Sequence, residues 1–294
     1  MELLTTDEAA EYLRLKERKL YELVAQGAIT CTKVTGRWLF PKEELDRWLA
    51  GGIRRPAYLA PADPMPIVGG SHDPLLEWAL RESGSALATL PEGSEAGLSR
   101  FLQGGIVAAA IHLHALDGDQ RDANIGAMRD LSNLYDSVLI AFARREQGIL
   151  VGVGNPQGLS SIGDIAAKHA RLAVRPKGAG AQLLLLALVH RAQMPMDRLR
   201  IVSPPCPTGP DVAQAIRAGR ADCGIATRSV AATAGLDFVP LVWESFDLVM
   251  RQRDYFRPPL QALAEFLRRP ALAARAAELG GYDVSDAGRI RFAP

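Results

Sequence analysis

From residue 66 onward, short apolar runs alternate with amphipathic helical stretches, and that alternation leaves the chain few ways to fold. Residues 66–70, 86–90, 107–113, 138–142, 150–153, 172–174, 200–203 and 223–226 read as strands. Helical patterns lie between them, 73–80 and 94–103 being the clearest. A strand apolar on both sides must be covered on both faces, and strands separated by helices run parallel, because each crossover returns the chain to the same end of the sheet. The expectation is an α/β fold with parallel-rich sheets. With 294 residues, 48% of them hydrophobic, there is enough apolar surface for two or three domains.

The first fifty residues follow a different pattern. Thr5 precedes a helical run with Glu8 three positions on, the spacing of a capping box. A second helix starts near Lys16 and is ended by Gly27; residues 29–40 then alternate about Gly36 as a hairpin does, and Pro41 opens a closing helix through Leu49. This is the order of a winged helix-turn-helix, a DNA-binding arrangement. The formal net charge is only +1, so no bulk attraction to nucleic acid exists. Between Arg14 and Arg37, however, six basic residues face only Glu17 and Glu22. A local basic face is the footprint of phosphate contact. It nominates Lys16, Arg18, Lys19 and Tyr21 on the second helix, and Lys33, Thr35 and Arg37 on the wing, as contacts to double-stranded DNA. Trp38, Phe40, Leu45 and Trp48 are expected in the core of this module. Residues 51–66 carry two glycines and four prolines and read as a semi-rigid linker over 51–65.

Three strand-to-helix turns share one chemistry. Ser71, His72 and Asp73 follow Gly70, Ser94 follows Gly93, and Gly178, Ala179, Gly180 and Ala181 follow Lys177. Small residues before a helix let its free amides approach an anion, and the helix dipole favours the negative charge. Ser71, His72, Gly93, Ser94, Lys177, Gly178, Ala179, Gly180 and Ala181 are therefore candidate ligand contacts, with His112 at a strand end as a further donor. The histidines lie on separate turns and suggest no metal, since a site needs three or four converging ligands. Cys31, Cys206 and Cys223 form no CxxC pair and suggest a reducing compartment. No nucleophile elbow, zinc-protease helix or phosphate-binding P-loop occurs, so no catalytic residue or cofactor is assigned. No leader segment is evident and the longest apolar run, 183–189, is too short to span a bilayer. These features point to a cytoplasmic protein that does not enter a membrane.

Glu8-Ala9-Ala10, Leu13, Leu20-Tyr21, Gly27, Val34, Gly36-Arg37-Trp38, Phe40 and Trp48-Leu49 together resemble the excisionase and MerR-like winged helix-turn-helix family. Lys16 and Lys19 stand where that family usually has Ser and Thr, which adds charge and removes a hydroxyl cap. The remainder resembles the periplasmic-binding-protein-like domain found on helix-turn-helix regulators and some molybdopterin-biosynthesis proteins. The resemblance is carried by Gly93-Ser94, the segments 104–113, 147–156 and 175–180, Val212-Ala213-Gln214-Ala215 leading to Gly219-Arg220-Ala221-Asp222-Cys223-Gly224, and Glu244-Ser245-Phe246-Asp247-Leu248.

The resemblance implies a type II, two-lobed domain over 66–294, joined to a winged helix-turn-helix over 1–50. Lobe one would comprise 66–143 and 248–294, and lobe two 149–243, with crossovers near 143–149 and 243–248. It also implies a regulator that senses a small anionic effector, either a molybdate- or tungstate-type oxyanion or a molybdenum cofactor species. A homodimer or higher homo-oligomer would read a palindromic operator. A molybdenum-cofactor-related enzyme and an architectural excisionase-like protein are the alternatives. Two departures bear on the ligand. The family's Thr and Arg are missing from the 178–182 loop, leaving amides and Lys177, and Phe246 replaces a tyrosine.

Overall fold

The computed structural model describes residues 2–34, 36–52, 63–114, 123–130 and 136–293. The chain divides into two compact units, Met1–Pro61 and Ala62–Pro294.

The first unit contains β1 (Leu3–Leu4), α1 (Thr6–Tyr12), α2 (Glu17–Ala25), β2 (Thr32–Val34), β3 (Arg37–Pro41) and α3 (Lys42–Gly52). The Glu8 carboxylate accepts from the amide and the hydroxyl of Thr5, at 2.8 and 2.9 Å, so one otherwise unpaired donor is satisfied at the start of α1. α2 is entered through Lys16 with no side-chain cap, as the missing hydroxyl implies. β3 pairs antiparallel with both β1 and β2. Ala9, Ala10, Leu13, Leu20, Ile29, Phe40 and Leu45 form the core. Trp38 only packs against its edge, and Trp48 departs from expectation. It is 37% exposed, and its indole N–H donates to the Ala28 carbonyl at 2.7 Å, so a hydrogen bond rather than full burial fixes it.

The second unit opens with β4 (Met65–Gly70), α4 (Pro74–Glu82), β5 (Ala88–Pro91), α5 (Ser94–Leu102), β6 (Ile106–Ile111) and α6 (Ala123–Asp130). It continues through β7 (Ser137–Val151), α7 (Ile162–Ala167), β8 (Arg171–Ala173), α8 (Gly180–Arg191), β9 (Arg200–Val202), α9 (Gly209–Arg217), β10 (Cys223–Thr227) and α10 (Arg228–Ala234). β11 (Asp237–Arg251), α11 (Gln252–Tyr255), α12 (Pro258–Phe266), α13 (Pro270–Leu279), β12 (Tyr282–Asp283) and β13 (Ile290–Phe292) complete it. Of the expected linker, 53–62 lies outside the described residues, while α3 takes in Gly51 and Gly52 and β4 takes in Met65.

All strands of this unit join one ten-stranded sheet, in the order β5-β4-β6-β11-β7-β10-β8-β9, with β12 and β13 also on β7. Its flanks are parallel, β4 with β5 and β6, and β8 with β9 and β10. Its centre is antiparallel, which corrects the purely alternating reading. The reason is that β7 carries the chain from one lobe to the other and β11 brings it back. Segments 138–142 and 150–153, read as separate strands, are the two ends of β7, and the expected crossovers fall within β7 and β11. Their pairing breaks register at Pro240/Val242 and at Phe246/Asp247; Pro240 has no amide to donate to the ladder.

Each lobe is covered on both faces, as helix-separated strands require. In the first, α4, α12 and α13 supply Leu75, Leu263 and Leu272 to one core, and α5 and α6 supply Phe101 and Met128 to another. In the second, α7 and α8 supply Ile165 and Leu184, while α9 and α10 supply Val212 and Val230. Among the described residues no helix is long and apolar enough to cross a membrane.

Candidate functional site

On the first unit Lys16, Arg18, Lys19 and Tyr21 are all exposed at the entry of α2 and along it, and Lys33 and Arg37 are exposed on the β2–β3 hairpin. Gly36 makes that hairpin's turn at φ +82°. Lys33 Nζ lies 5.2 Å over the Trp38 ring, so the half-buried indole steadies a wing cation. Arg18 and Lys19 approach Glu22 at 3.6 and 3.1 Å. Such exposed pairs hold little energy and yield readily to a phosphate. Thr35 lies outside the described residues.

In the second unit the buried polar residues begin where strands end. β4 runs into Ser71 and Asp73, β5 into Ser94, β6 into His112 and β8 toward Arg175, while β10 ends at Thr227. Ligands of α/β folds bind beyond these carboxyl ends. The crossover strands add Arg145 and Gln147 from β7 and Glu244 from β11.

Arg145, 1% exposed, organises the cluster. Its Nε donates to Glu244 at 2.6 Å, one terminal nitrogen to Asp73 at 2.8 Å and the other to His112 Nδ1 at 2.7 Å. The guanidinium also lies 4.0 Å over the Phe246 ring. Burial opposes its charge, but Glu244 and Asp73 outweigh that and raise its pKa. Burial likewise opposes ionisation of Glu244, and the Arg145 guanidinium and the His114 hydrogen bond overcome it, holding the carboxyl well below its usual range. Asp73 serves twice: its Oδ1 caps α4 by accepting from Leu75 and Leu76, and its Oδ2 accepts from Arg145 and from the Tyr282 hydroxyl.

His112 is neutral. Burial pushes its pKa well below the ordinary histidine value, and repulsion from Arg145, His114 and Arg175 works the same way against the attraction of Glu244. Because Nδ1 accepts from Arg145, the ring proton sits on Nε2, which is buried without a hydrogen-bond partner. This has a consequence for stability. Below about pH 6.5 the unfolded chain takes up a proton here that the folded chain refuses, so this contribution is present above that pH and is lost as pH falls. Replacing His112 by Asn should flatten the decline in melting temperature between about pH 6.5 and 5. Parallel pH profiles for the two proteins would exclude the neutral assignment.

Ser71, His72, His112, Arg145, Gln147, Arg175, Gly180, Ala181, Gly209 and Thr227 surround one cavity together with Pro74, Ala226 and Val230. Its free space is about 20 Å³, room for a water-sized group. Two arginines line this wall and no carboxylate does. The first residues of α4, α8 and α9 reach it (Pro74, Gly180 and Gly209), and the amides of Gly180 and Gly209 are among those a helix start leaves unpaired. The Arg175 guanidinium donates to the carbonyls of Cys206 and Pro207, at 3.0 and 2.7 Å. Burial and the nearby Arg145 bring its pKa down to about 10, so it remains charged at neutral pH. Arg145 and Arg175 formally balance Asp73 and Glu244. Selection of a ligand therefore rests on groups at the wall rather than on a large net field.

The sequence-nominated residues divide. Ser71, His72, His112, Gly180 and Ala181 line the cavity. Ser94 lies beneath it, bonded to the Ser71 hydroxyl at 2.8 Å and to the His112 backbone at 3.1 Å. Gly93, Gly178 and Ala179 meet across the cleft, where the Glu95 amide donates to the Gly178 carbonyl at 3.2 Å. Lys177 is exposed and off the wall; the cation of that turn that lines the cavity is Arg175. Phe246 lies in the core beneath Arg145 and not on the wall, so the missing phenol does not subtract a donor there. The sequence reading passed over Arg145, Gln147, Arg175, Gly209 and Thr227. A charged residue between two apolar runs was the available signal for Arg145. Asp222 accepts from the Arg171 guanidinium at 2.6 Å. Among the described residues no group of three or more His, Cys, Asp or Glu is placed to hold a metal.

Residues 77–268 match the family model described as PBP superfamily domain, and residues 3–52 match the one described as Helix-turn-helix domain. The chain is 23% identical over 306 residues to the uncharacterized protein YvgK of Bacillus subtilis (strain 168), covering 97% of this chain and 96% of that one. It is 30% identical over 80 residues to an uncharacterized protein from the 5′ region of a Clostridium pasteurianum 2Fe-2S ferredoxin gene, covering 27% and 71%. In structure it is similar to the tungstate ABC transporter from Geobacter sulfurreducens, with a TM-score of 0.51 at 13% identity over 73% of this chain and 99% of that chain. At that identity the likeness is one of fold.

Proposed function

We propose that this chain, which belongs to the PBP superfamily, is a DNA-binding regulator whose two-lobed domain closes on a small anion and transmits that closure to the helix-turn-helix head. One observation carries the reading. On a chain that also bears a helix-turn-helix, a buried cavity wall gathers two arginines, a histidine N–H and helix starts without a single carboxylate. Lobe closure is a two-state element, and a ligand that prefers one state by about 1–3 kcal/mol is sufficient to shift a regulator's output. Tungstate, the anion for which the Geobacter transporter is named, makes tungstate and molybdate the first inorganic probes, with sulfate, phosphate and small carboxylates beside them. Paired heads on a homodimer would read a palindromic operator.

A melting panel tests the anion. At a hundred times its dissociation constant a bound ligand adds about 2.7 kcal/mol, roughly 5–10 °C for a domain of this size. Arg175→Ala should weaken that binding by about 10–100-fold, the loss of one charge-assisted hydrogen bond. Unchanged anion affinity in that variant would remove Arg175 from the site. For the head, Arg37→Ala should lower operator affinity in a gel shift while leaving anion affinity intact. Equal shifts for variant and wild type would take Arg37 off the DNA face.

A further inference from the structure

Two residues that line the cavity each carry a buried side-chain atom without a hydrogen-bond partner, His112 Nε2 and Gln147 Oε1. They are of opposite kind, and their neighbours fix which is which. The guanidinium of Arg145 can only donate, so His112 Nδ1 must accept and Nε2 must carry the proton. The Glu244 carboxylate can only accept, so the Gln147 amide must turn its NH₂ toward it, at 3.1 Å, leaving Oε1 as the orphan. The wall thus offers a donor and an acceptor from one rigid cluster. Resting on the anion-sensor reading, we infer that the effector is an anion bearing an O–H or N–H donor of its own, a hydroxy acid or a hydrogen-bearing oxyanion.

The chemistry follows from what each ligand presents. A fully deprotonated tetrahedral oxyanion offers acceptors only; it can satisfy His112 Nε2, the helix amides and Arg175, but sets an oxygen against Gln147 Oε1. A ligand with a hydroxyl gives that acceptor a proton and satisfies both atoms. Sites built around a ligand's O–H discriminate against analogues lacking it, because a buried group is then left unpaired. Deprotonated molybdate, tungstate and sulfate are accordingly the weaker ligands of the panel.

Calorimetric titration of the full chain at neutral pH with two matched pairs tests this. Phosphate, which keeps a proton at that pH, is set against sulfate, and glycolate against acetate. The donor-bearing member of at least one pair should bind about tenfold or more tightly. In Gln147→Met, which removes the acceptor at similar volume, the ratio of the two affinities should fall to about one. Equal binding of both members by wild type, or a preference that survives in Gln147→Met, overturns the donor requirement and leaves the anion site standing. Failure of all four probes, together with molybdate and tungstate, to bind overturns the anion reading itself.

Discussion

Replacement of Arg145 by Ala is expected to destabilise the second unit by about 3–5 kcal/mol, the usual effect of removing one partner from a buried ion pair. For a domain of this size that lowers the melting temperature by roughly 6–20 °C. The size of the effect comes from what remains. Arg145 is the shared donor to Glu244, Asp73 and His112, and its loss strands two carboxylates buried beyond 97%. Glu244 retains hydrogen bonds to Gln147 and His114, and Asp73 retains its α4 amides and Tyr282. Phe246 loses the cation stacked on its face. Chemical denaturation of Arg145→Ala, Glu244→Gln and the double variant separates charge from packing. The double variant should be less damaged than the two single losses added together, because the second change neutralises a charge that the first left alone. Strict additivity, or a melting temperature within about 2 °C of wild type for Arg145→Ala, would mean that the guanidinium does not hold this cluster together.

The two halves of the chain were legible in the sequence to different depths. In the first unit every strong signal is local. Thr5 and Glu8 cap a helix three residues apart, Gly36 turns a hairpin, and apolar spacing selects Leu20 and Phe40 for the core, so module and exposed basic face follow from short windows. In the second unit the same local signals located β4, β5, β6 and β10, and the helices after β4 and β5. They could not show that 138–142 and 150–153 are one strand, because the polar residues between them, Arg144, Arg145, Glu146 and Gln147, break the apolar pattern. Those residues do so for a reason visible only in three dimensions. Arg145 is buried against Glu244, 99 positions away, and Asp73, 72 positions away, and no window of sequence contains such a pair.

The cavity residues divide along the same line. Ser71, His112 and Gly180 stand at strand ends or helix starts, positions that a short window can pick out, and they line the cavity. Lys177 was nominated as the charged contact of the 175–182 turn, but it is exposed and off the wall, and position along a turn says nothing about which side faces the cavity. Arg175 follows Val174, a buried residue just beyond β8, and lines the cavity.

A methyl group at Gly180 should separate ligand binding from folding. A Cβ built there would stand 2.0 Å from His112 Nε2 and 2.4 Å from the His112 carbonyl oxygen, closer than any real contact. His112 follows β6 and Gly180 starts α8, so the clash lies between the lobes and not within either core. It is reinforced by Gly93, whose own Cβ would come within 3.3 Å of Ala179. Opening the lobes relieves the clash. Gly180→Ala should therefore raise the closed state by about 1–3 kcal/mol or more, as overpacking does, while the melting temperature without anion moves by no more than about 2 °C. Apparent affinity scales with the fraction of closed protein, so anion binding should fall roughly 5–150-fold. The DNA response should weaken with it, because an anion that no longer draws the lobes together has no state to favour at the head. Titration of the anion that wild type binds, followed by gel shift in its presence and absence, measures both. Full anion affinity in Gly180→Ala would mean that the ligand is held by one lobe, and that closure across the His112–Gly180 contact is not the switch.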